Sequence, residues 1–222
     1  APFSSILRGF ILPKFFLENC GAYLAAIRSI GRTEEYFYMP VFESAAMIPP
    51  QTRREALTEV RAQLDTVSGS ILNIRVGGND LSHAFGLRRP ANRTIYDLRP
   101  VADILIDIVA AFGTQYVVSG PVWEYYSGEG WEEGLRREME LDLLNGFTGK
   151  TVIHPNQIPV VNEMLRVSQQ DYADARAILN WDTGSGSLVS ASEDGGRMNE
   201  YNTHSRWARR IVLRAERYGV RA

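Results

Sequence analysis

Short apolar runs closed by Pro, Gly or a charged residue alternate with longer stretches of helical period along most of this chain. The first run, GFILPK at 9–14, reads as a buried strand ending on Pro and Lys. Glu18 to Ile30 follows with Tyr23, Leu24, Ile27 and Ile30 at helical spacing, and Gly31 stands where a C-cap belongs. Tyr36 to Glu43 (YFYMPVFE) is aromatic and β-branched and predicts a second strand. Pro40 inside it has no N–H for a ladder, which favours an irregular or late position. After Pro49-Pro50, Thr52 to Leu64 sets Ala56, Leu57, Val60 and Leu64 on one face, with Arg and Glu opposite. Further strands are expected over Ile71–Val76, Tyr116–Ser119 and Thr151–His154, and helices over Asp97–Phe112 and Trp131–Leu144. Helices over Asn156–Leu165 and Ser168–Leu179 come next, Ser168 being an N-cap candidate. Thr183 to Gly196 is rich in Gly and Ser and reads as a flexible loop, with Ser185, Ser187, Ser190 and Ser192 as linker residues. A last helix from about Asn202 to Tyr218 carries Trp207, Ile211, Ala215 and Tyr218 on one stripe.

Five strand-then-helix units in succession specify an α/β protein with a parallel sheet. The C-terminal ends of parallel strands share one rim, where such folds keep their chemistry. Lys14, Glu43, Asp80, Gly120 and His154 would stand on it.

The stretch ILNIRVGGNDLSHAFG at 71–86 organises that rim. Its apolar run breaks at Gly77-Gly78, and Asp80 follows where a strand would end and a loop begin. Glycine lets the backbone turn sharply and leaves room beside a ligand, although a Gly-Gly-Asn-Asp run is also an ordinary turn. Glu43 ends the preceding strand. Two carboxylates on successive strand ends can approach one point and supply oxygen ligands to Mg²⁺, which keeps several waters or substrate oxygens. The plainer alternative is that Glu43 caps the following helix and Asp80 fixes a turn.

Composition narrows the classes. The 222 residues are 45% hydrophobic and 23% charged with a formal net charge of −2, an ordinary globular balance that can bury a sizeable core. With a pI near 6.0 there is no global basic field to attract nucleic acid or an anionic membrane. No apolar run approaches the ~20 residues that span a bilayer. Cys20 is the single cysteine, which excludes an intrachain disulfide or a cysteine-cluster metal site and fits a reducing cytoplasm. Basic residues are nearly all Arg, so the two lysines, Lys14 and Lys150, invite a specific explanation.

At this point the motifs resemble those of the HpcH/HpaI aldolase and citrate lyase β-subunit superfamily, enzymes of the TIM (β/α)8 barrel fold that make or break carbon–carbon bonds with Mg²⁺. GFILPK resembles the family's LPK-type fourth strand, PVFES at 40–44 its ETA-type fifth strand, and RVGGNDLSHAFG at 75–86 its GGxDL-x-x-x-x-G sixth. GFTGKTVIHPNQIPVVNEML at 146–165 is similar to its GK-x-x-IHP-x-Q-I eighth strand and helix, and HSRWARRIVLRAERYGV to its final helix. The resemblance implies that Glu43 and Asp80 are the metal ligands and act in catalysis with Lys14. Lys14 would offset charge on a substrate carboxylate or a developing enolate; its neutral reading is an ion pair with Glu43 or Asp80. Gly77 and Gly78, with Arg75 beside them, would border the substrate.

The family's three earlier strands, with a PG turn, a D-x-E-D segment and an Arg in an R-x-N context, find no match in residues 1–222. Since a full barrel takes ~250 residues, the chain is expected to cover only the later strands and the C-terminal helical segment. Residues 1–180 would be barrel, and 181–222 a loop and helix of the same domain. The expected substrate is a small carboxylic acid or an acyl thioester, with coenzyme A possible as its carrier, in a cytoplasmic homo-oligomer. Two rivals are a phosphoenolpyruvate-type enolate enzyme on the same barrel and a non-catalytic barrel subunit of a multi-enzyme complex.

Other residues attract less weight. His83 reads as a loop histidine and His154 as an anchor for the last loop, while Cys20 reads as a packed thiol. No G-x-S-x-G elbow or phosphate loop is present. The arginines of the final helix (Arg206, Arg209, Arg210, Arg214, Arg217) read first as a solvated face.

Overall fold

The computed structural model describes residues 6–30, 36–181, 189–192 and 195–221, and divides into two units, Ala1–Ile158 and Pro159–Ala222. In the first unit, strands β1 (Gly9–Leu12), β2 (Phe37–Phe42), β3 (Ile74–Val76), β4 (Val118–Gly120) and β5 (Gly149–Lys150) pair in sequence order, every pair parallel. Helices α1 (Cys20–Ser29), α2 (Pro50–Asp65), α3 (Gly78–Ala84), α4 (Arg99–Phe112) and α5 (Trp131–Leu144) lie between them in the chain. Parallel neighbours require a crossover, and a helix supplies it. This is the repeat of a (β/α) barrel, with β1 and β5 at the edges of the sheet among the described residues.

Side chains alternate across the sheet. Phe42, Ile74, Val76 and Val118 are at most 3% exposed and join Leu57, Val60 and Leu64 of α2 and Ile104, Leu105, Ile108 and Phe112 of α4 in one core. Each such buried side chain contributes roughly 1.5–3 kcal/mol relative to exposure. The register pairs Val41 with Arg75, Arg75 with Ser119 and Ser119 with Gly149, so Arg75 belongs to the row that alternates with this core.

The strands are shorter than the apolar runs that predict them. The third touches β2 at Ile71, bridged to Tyr38, and pairs regularly only from Ile74. The fifth is Gly149–Lys150, two residues ahead of the expected Thr151–His154. Thr151 N still donates to Gly120 O, at 3.1 Å. Pro155, which lacks an N–H, then follows, and the Gln157 side chain accepts from Ile153 N at 2.9 Å, so the chain turns away. Asp80, expected in a loop, lies in the first turn of α3. That helix is seven residues long, and its apolar anchor is Leu81, too little for a visible helical period.

In the second unit, α6 (Gln157–Met164), which begins at the boundary, leads to β6 (Val167–Ser168), α7 (Gln169–Leu179), β7 (Val189–Ala191), β8 (Met198–Glu200), α8 (Tyr201–Tyr218) and β9 (Val220–Arg221). Ser168 Oγ accepts from Asp171 N at 3.1 Å and so caps α7 as expected. Ala175 and Ile178 of α7 pack with Ala208, Ile211 and Ala215 of α8. Of the expected loop, Val189–Ala191 is ordered as β7 and pairs antiparallel with β8 beyond the loop; its residues 183–188, with Ser185 and Ser187, and 193–194 lie outside the described residues. Arg197 secures the hairpin, pairing with Asp171 and Asp174 over the Trp207 ring. Arg206, Arg209, Arg210 and Arg217 are exposed and Arg214 is half-buried. Among the described residues no helix is long and apolar enough to cross a membrane.

Candidate active site

The site begins with a backbone turn after β1. Lys14 has φ 50° and is the one non-glycine residue with positive φ among the described residues. A left-handed lysine costs about 1 kcal/mol or more and persists only when its surroundings hold it. Here Tyr23 Oη donates to Pro13 O at 2.9 Å and Asn19 Nδ2 donates to Lys14 O at 2.7 Å. Asn19 Oδ1 accepts from Phe16 N at 3.0 Å, and Phe15 N donates to Val41 O of β2 at 2.9 Å. Held in this way, the Lys14 N–H points at Glu43 Oε1, 3.0 Å away, and its Nζ lies 2.8 Å from Asp80 Oδ1.

One residue therefore ties together two carboxylates from the ends of β2 and β3. The hydrogen bond to Asp80, then the charge of Asp80, raise the Lys14 ammonium above its ordinary range, with a smaller push from Glu43. Gly77 is part of the same construction. A Cβ there would stand 2.2 Å from Glu43 Oε2, so the carboxylate occupies the space that glycine leaves.

Lys14, Glu43, Gly77 and Asp80 are thus brought together, and the neutral reading of Lys14 resolves as an ion pair with Asp80. Among the described residues Glu43 caps no helix; Ser44 caps the short 3-10 turn Ala45–Met47, its Oγ accepting from Ala46 N at 3.2 Å. Gly78 does not open onto the rim, because Ile95 and Pro121 fill the space a Cβ would need. Arg75 Nη2 reaches Thr151 Oγ1 at 3.4 Å, on the β5 side of β3 and away from Lys14. His83 is exposed in the last turn of α3. His154 stacks on Tyr126 with ring centroids 4.3 Å apart, and its Nδ1 accepts from Asn156 N. Cys20 is packed, its Sγ 3.1 Å from Gln63 Oε1, and burial pushes the thiol up.

Two carboxylates with a glycine beside them suit Mg²⁺, which commonly takes one or two protein carboxylates and completes its shell with water or substrate oxygens. Among the described residues no group of three or more His, Cys, Asp or Glu side chains could hold a metal ion. Glu43 and Asp80, both in contact with Lys14, are the pair of carboxylates that could hold such an ion.

The loops beyond this cluster are tied by buried groups that neither spacing nor period reveals. Lys150 Nζ lies 2.7 Å from Glu138 Oε1 and 2.8 Å from Asp142 Oδ2, and Arg89 Nε lies 2.9 Å from Glu138 Oε2. All four side chains are at most 1% exposed, two cations balancing two carboxylates. Ile95 N donates to Glu138 and Tyr96 Oη to Asp142; burial pushes the Asp142 carboxyl up, opposed by Lys150. Arg89 also lies over the Trp123 ring at 5.1 Å, and Tyr125 Oη donates to Arg89 O at 3.0 Å. Gln157 is fully buried and donates to both Trp123 O and Tyr125 O at 2.8 Å. The aromatic segment after β4 is therefore sewn both to the chain after α3 and to the chain after β5.

Comparison with known proteins places the chain. Residues 2–220 match the family described as C-C Bond Lyase of the TIM-Barrel fold, and the chain belongs to that family. Among curated proteins it is similar to the L-malyl-CoA/beta-methylmalyl-CoA lyase of Cereibacter sphaeroides, 38% identical over 74 residues, covering 32% of this chain and 22% of the relative. Among solved structures it is similar to a citrate lyase from Burkholderia xenovorans LB400, with TM-score 0.68 and 16% identity over 97% of this chain and 65% of that one. It is similar also to CitE from Mycobacterium tuberculosis in complex with magnesium, acetoacetate and coenzyme A, with TM-score 0.58 and 19% identity over 93% of this chain and 77% of that one. At these identities the structural likeness is one of fold, and together with the family match it bears out the TIM-barrel class. The chain spans about a fifth of the length of the curated relative, 22%.

Proposed function

We propose that this chain carries the metal-binding rim of a Mg²⁺-dependent carbon–carbon bond lyase of the citrate lyase and malyl-CoA lyase type. The observation that carries the reading is the convergence of Glu43 and Asp80 on Lys14 at adjacent strand ends. Membership of the lyase family supports it, as do the printed ligands of the CitE structure, magnesium, acetoacetate and coenzyme A. The substrate class is an α-keto acid or a β-hydroxy acyl thioester, whose cleavage leaves an electron pair that must be delocalised as an enolate.

The chemistry Mg²⁺ supplies when bound is Lewis acidity toward the carbonyl oxygen that gathers this charge. Glu43 and Asp80 would hold the ion. The Gly77 backbone keeps the Glu43 carboxylate at the rim. The Lys14 ammonium is exposed there and offers a positive charge to a substrate carboxylate or to the developing enolate. The Arg75 guanidinium, on β3 and turned toward Thr151 beyond β5, offers a second cation for the remote carboxylate. A cytoplasmic location, which a buried, unpaired Cys20 thiol suits, and a homo-oligomeric assembly belong to the same proposal.

The test is a panel of keto acids, acyl-CoA thioesters including L-malyl-CoA, and phosphoenolpyruvate, each with Mg²⁺ and with excess chelator. Cleavage of a keto acid or thioester that chelation abolishes supports the proposal. Turnover of phosphoenolpyruvate alone, or no divalent-ion dependence, rejects it.

A further inference from the structure

Lys14 contacts both carboxylates by different means, and the two contacts differ in permanence. Its N–H to Glu43 is a backbone bond, fixed by the left-handed turn that Asn19 and Tyr23 clamp. Its ammonium reaches Asp80 through a flexible stem, and that side chain is 65% exposed. The carboxylate pair thus has a permanent donor on one member and a removable cation on the other. A divalent ion shared by Glu43 and Asp80 would meet an ammonium already 2.8 Å from Asp80 Oδ1.

We propose that Lys14 is a displaceable counter-ion of the Glu43–Asp80 pair: the ammonium occupies the cation position beside Asp80, leaves it when a divalent ion binds, and thereby sets the metal affinity of the site. This rests on the reading of Glu43 and Asp80 as metal ligands. It adds that Lys14 opposes metal binding rather than assisting it. In the absence of metal the ammonium lowers the repulsion between the two carboxylates. Once displaced, its four-carbon stem leaves it at the rim, free to meet an anionic substrate, while its backbone remains on Glu43.

Removing one competing unit charge beside Asp80 in a solvated setting is expected to change the affinity for a divalent ion by about fivefold. The experiment is equilibrium titration of the full chain with Mn²⁺, following free ion by electron paramagnetic resonance, for wild type, Lys14→Met, Lys14→Gln, Lys14→Arg and Asp80→Asn. Circular dichroism confirms folding of each variant. The neutral variants are expected to bind Mn²⁺ about fivefold or more tightly than wild type, Lys14→Arg to stay within about twofold, and Asp80→Asn to lose the site. Unchanged or weaker binding by whichever neutral variant folds, with Asp80→Asn still losing the site, overturns the counter-ion role alone. Mn²⁺ binding that Asp80→Asn leaves intact, or none in wild type, overturns the metal-ligand reading and the counter-ion role with it.

Discussion

Gly77 and Glu43 are fitted so closely that a single methyl group at 77 would stand 2.2 Å from Glu43 Oε2 and 2.4 Å from its Cβ. The φ of Gly77 is −91°, so an alanine there meets no backbone penalty, and its effect is one of space. Gly77→Ala is expected to swing the Glu43 carboxylate aside, weakening Mg²⁺ binding by about tenfold or more, while overpacking lowers stability by about 1–3 kcal/mol. Calorimetric titration beside a thermal melt separates the two. Unchanged Mg²⁺ affinity in a folded variant would show that the Glu43 carboxylate is not a ligand.

Lys150 is the cation between Glu138 and Asp142, and all three side chains are at most 1% exposed. Removing one partner from a buried ion cluster strands the others. Lys150→Met is therefore expected to cost about 3–5 kcal/mol in denaturant unfolding. Arg54, 77% exposed in its pair with Asp107, serves as the comparison: Arg54→Met should cost no more than about 1 kcal/mol.

Gln157 satisfies three backbone groups at once, Trp123 O, Tyr125 O and Ile153 N. Gln157→Leu would leave them unpaired and is expected to cost about 1–3 kcal/mol or more. Limited proteolysis should then cut within the loosened 121–130 segment, where wild type resists.

Asp97 closes a capping box with Thr94, whose N and Oγ1 both donate to its Oδ2, at 2.7 and 2.9 Å. The Thr94 backbone hydrogen bond holds the Asp97 carboxyl below its ordinary 3.8. A depressed carboxylate stabilises the fold above the unfolded pKa, and this contribution is lost as pH falls through the folded one. Asp97→Ala should cost about 1 kcal/mol at pH 7, and the gap to wild type should narrow on titration below pH 3.8.

Much of this architecture is legible in the amino-acid order. Val101, Ile104, Leu105 and Ile108 recur at the spacing of a buried helix face, and α4 forms over them. Glu43 and Asp80 stand out as carboxylates beyond β-branched runs, and both reach one lysine. The rest depends on backbone geometry and packing that spacing does not encode. Asn19 falls inside the expected helix Glu18–Ile30, yet α1 starts at Cys20 and the Asn19 amide is committed to the Lys14 turn. Gly77 and Gly78 are adjacent and look equivalent, but one makes room for Glu43 and the other for Ile95 and Pro121. The fifth strand shortens because the chain leaves the sheet at Thr151, where the hydrogen bond that Gln157 Oε1 accepts from Ile153 N and the missing N–H of Pro155 outweigh the apolar pair Val152-Ile153.

The measurement closest to the central claim is the rate at which Asp80→Asn, at saturating Mg²⁺ and beside wild type and Glu43→Gln, cleaves the keto acid or acyl thioester that wild type turns over in the substrate panel. Loss of one ligand carboxylate should lower turnover by about a hundredfold or more, equivalent to roughly 2.7 kcal/mol of barrier, in variants that keep the wild-type melting temperature. Wild-type turnover in either variant would contradict the assignment of Glu43 and Asp80 as the catalytic metal pair.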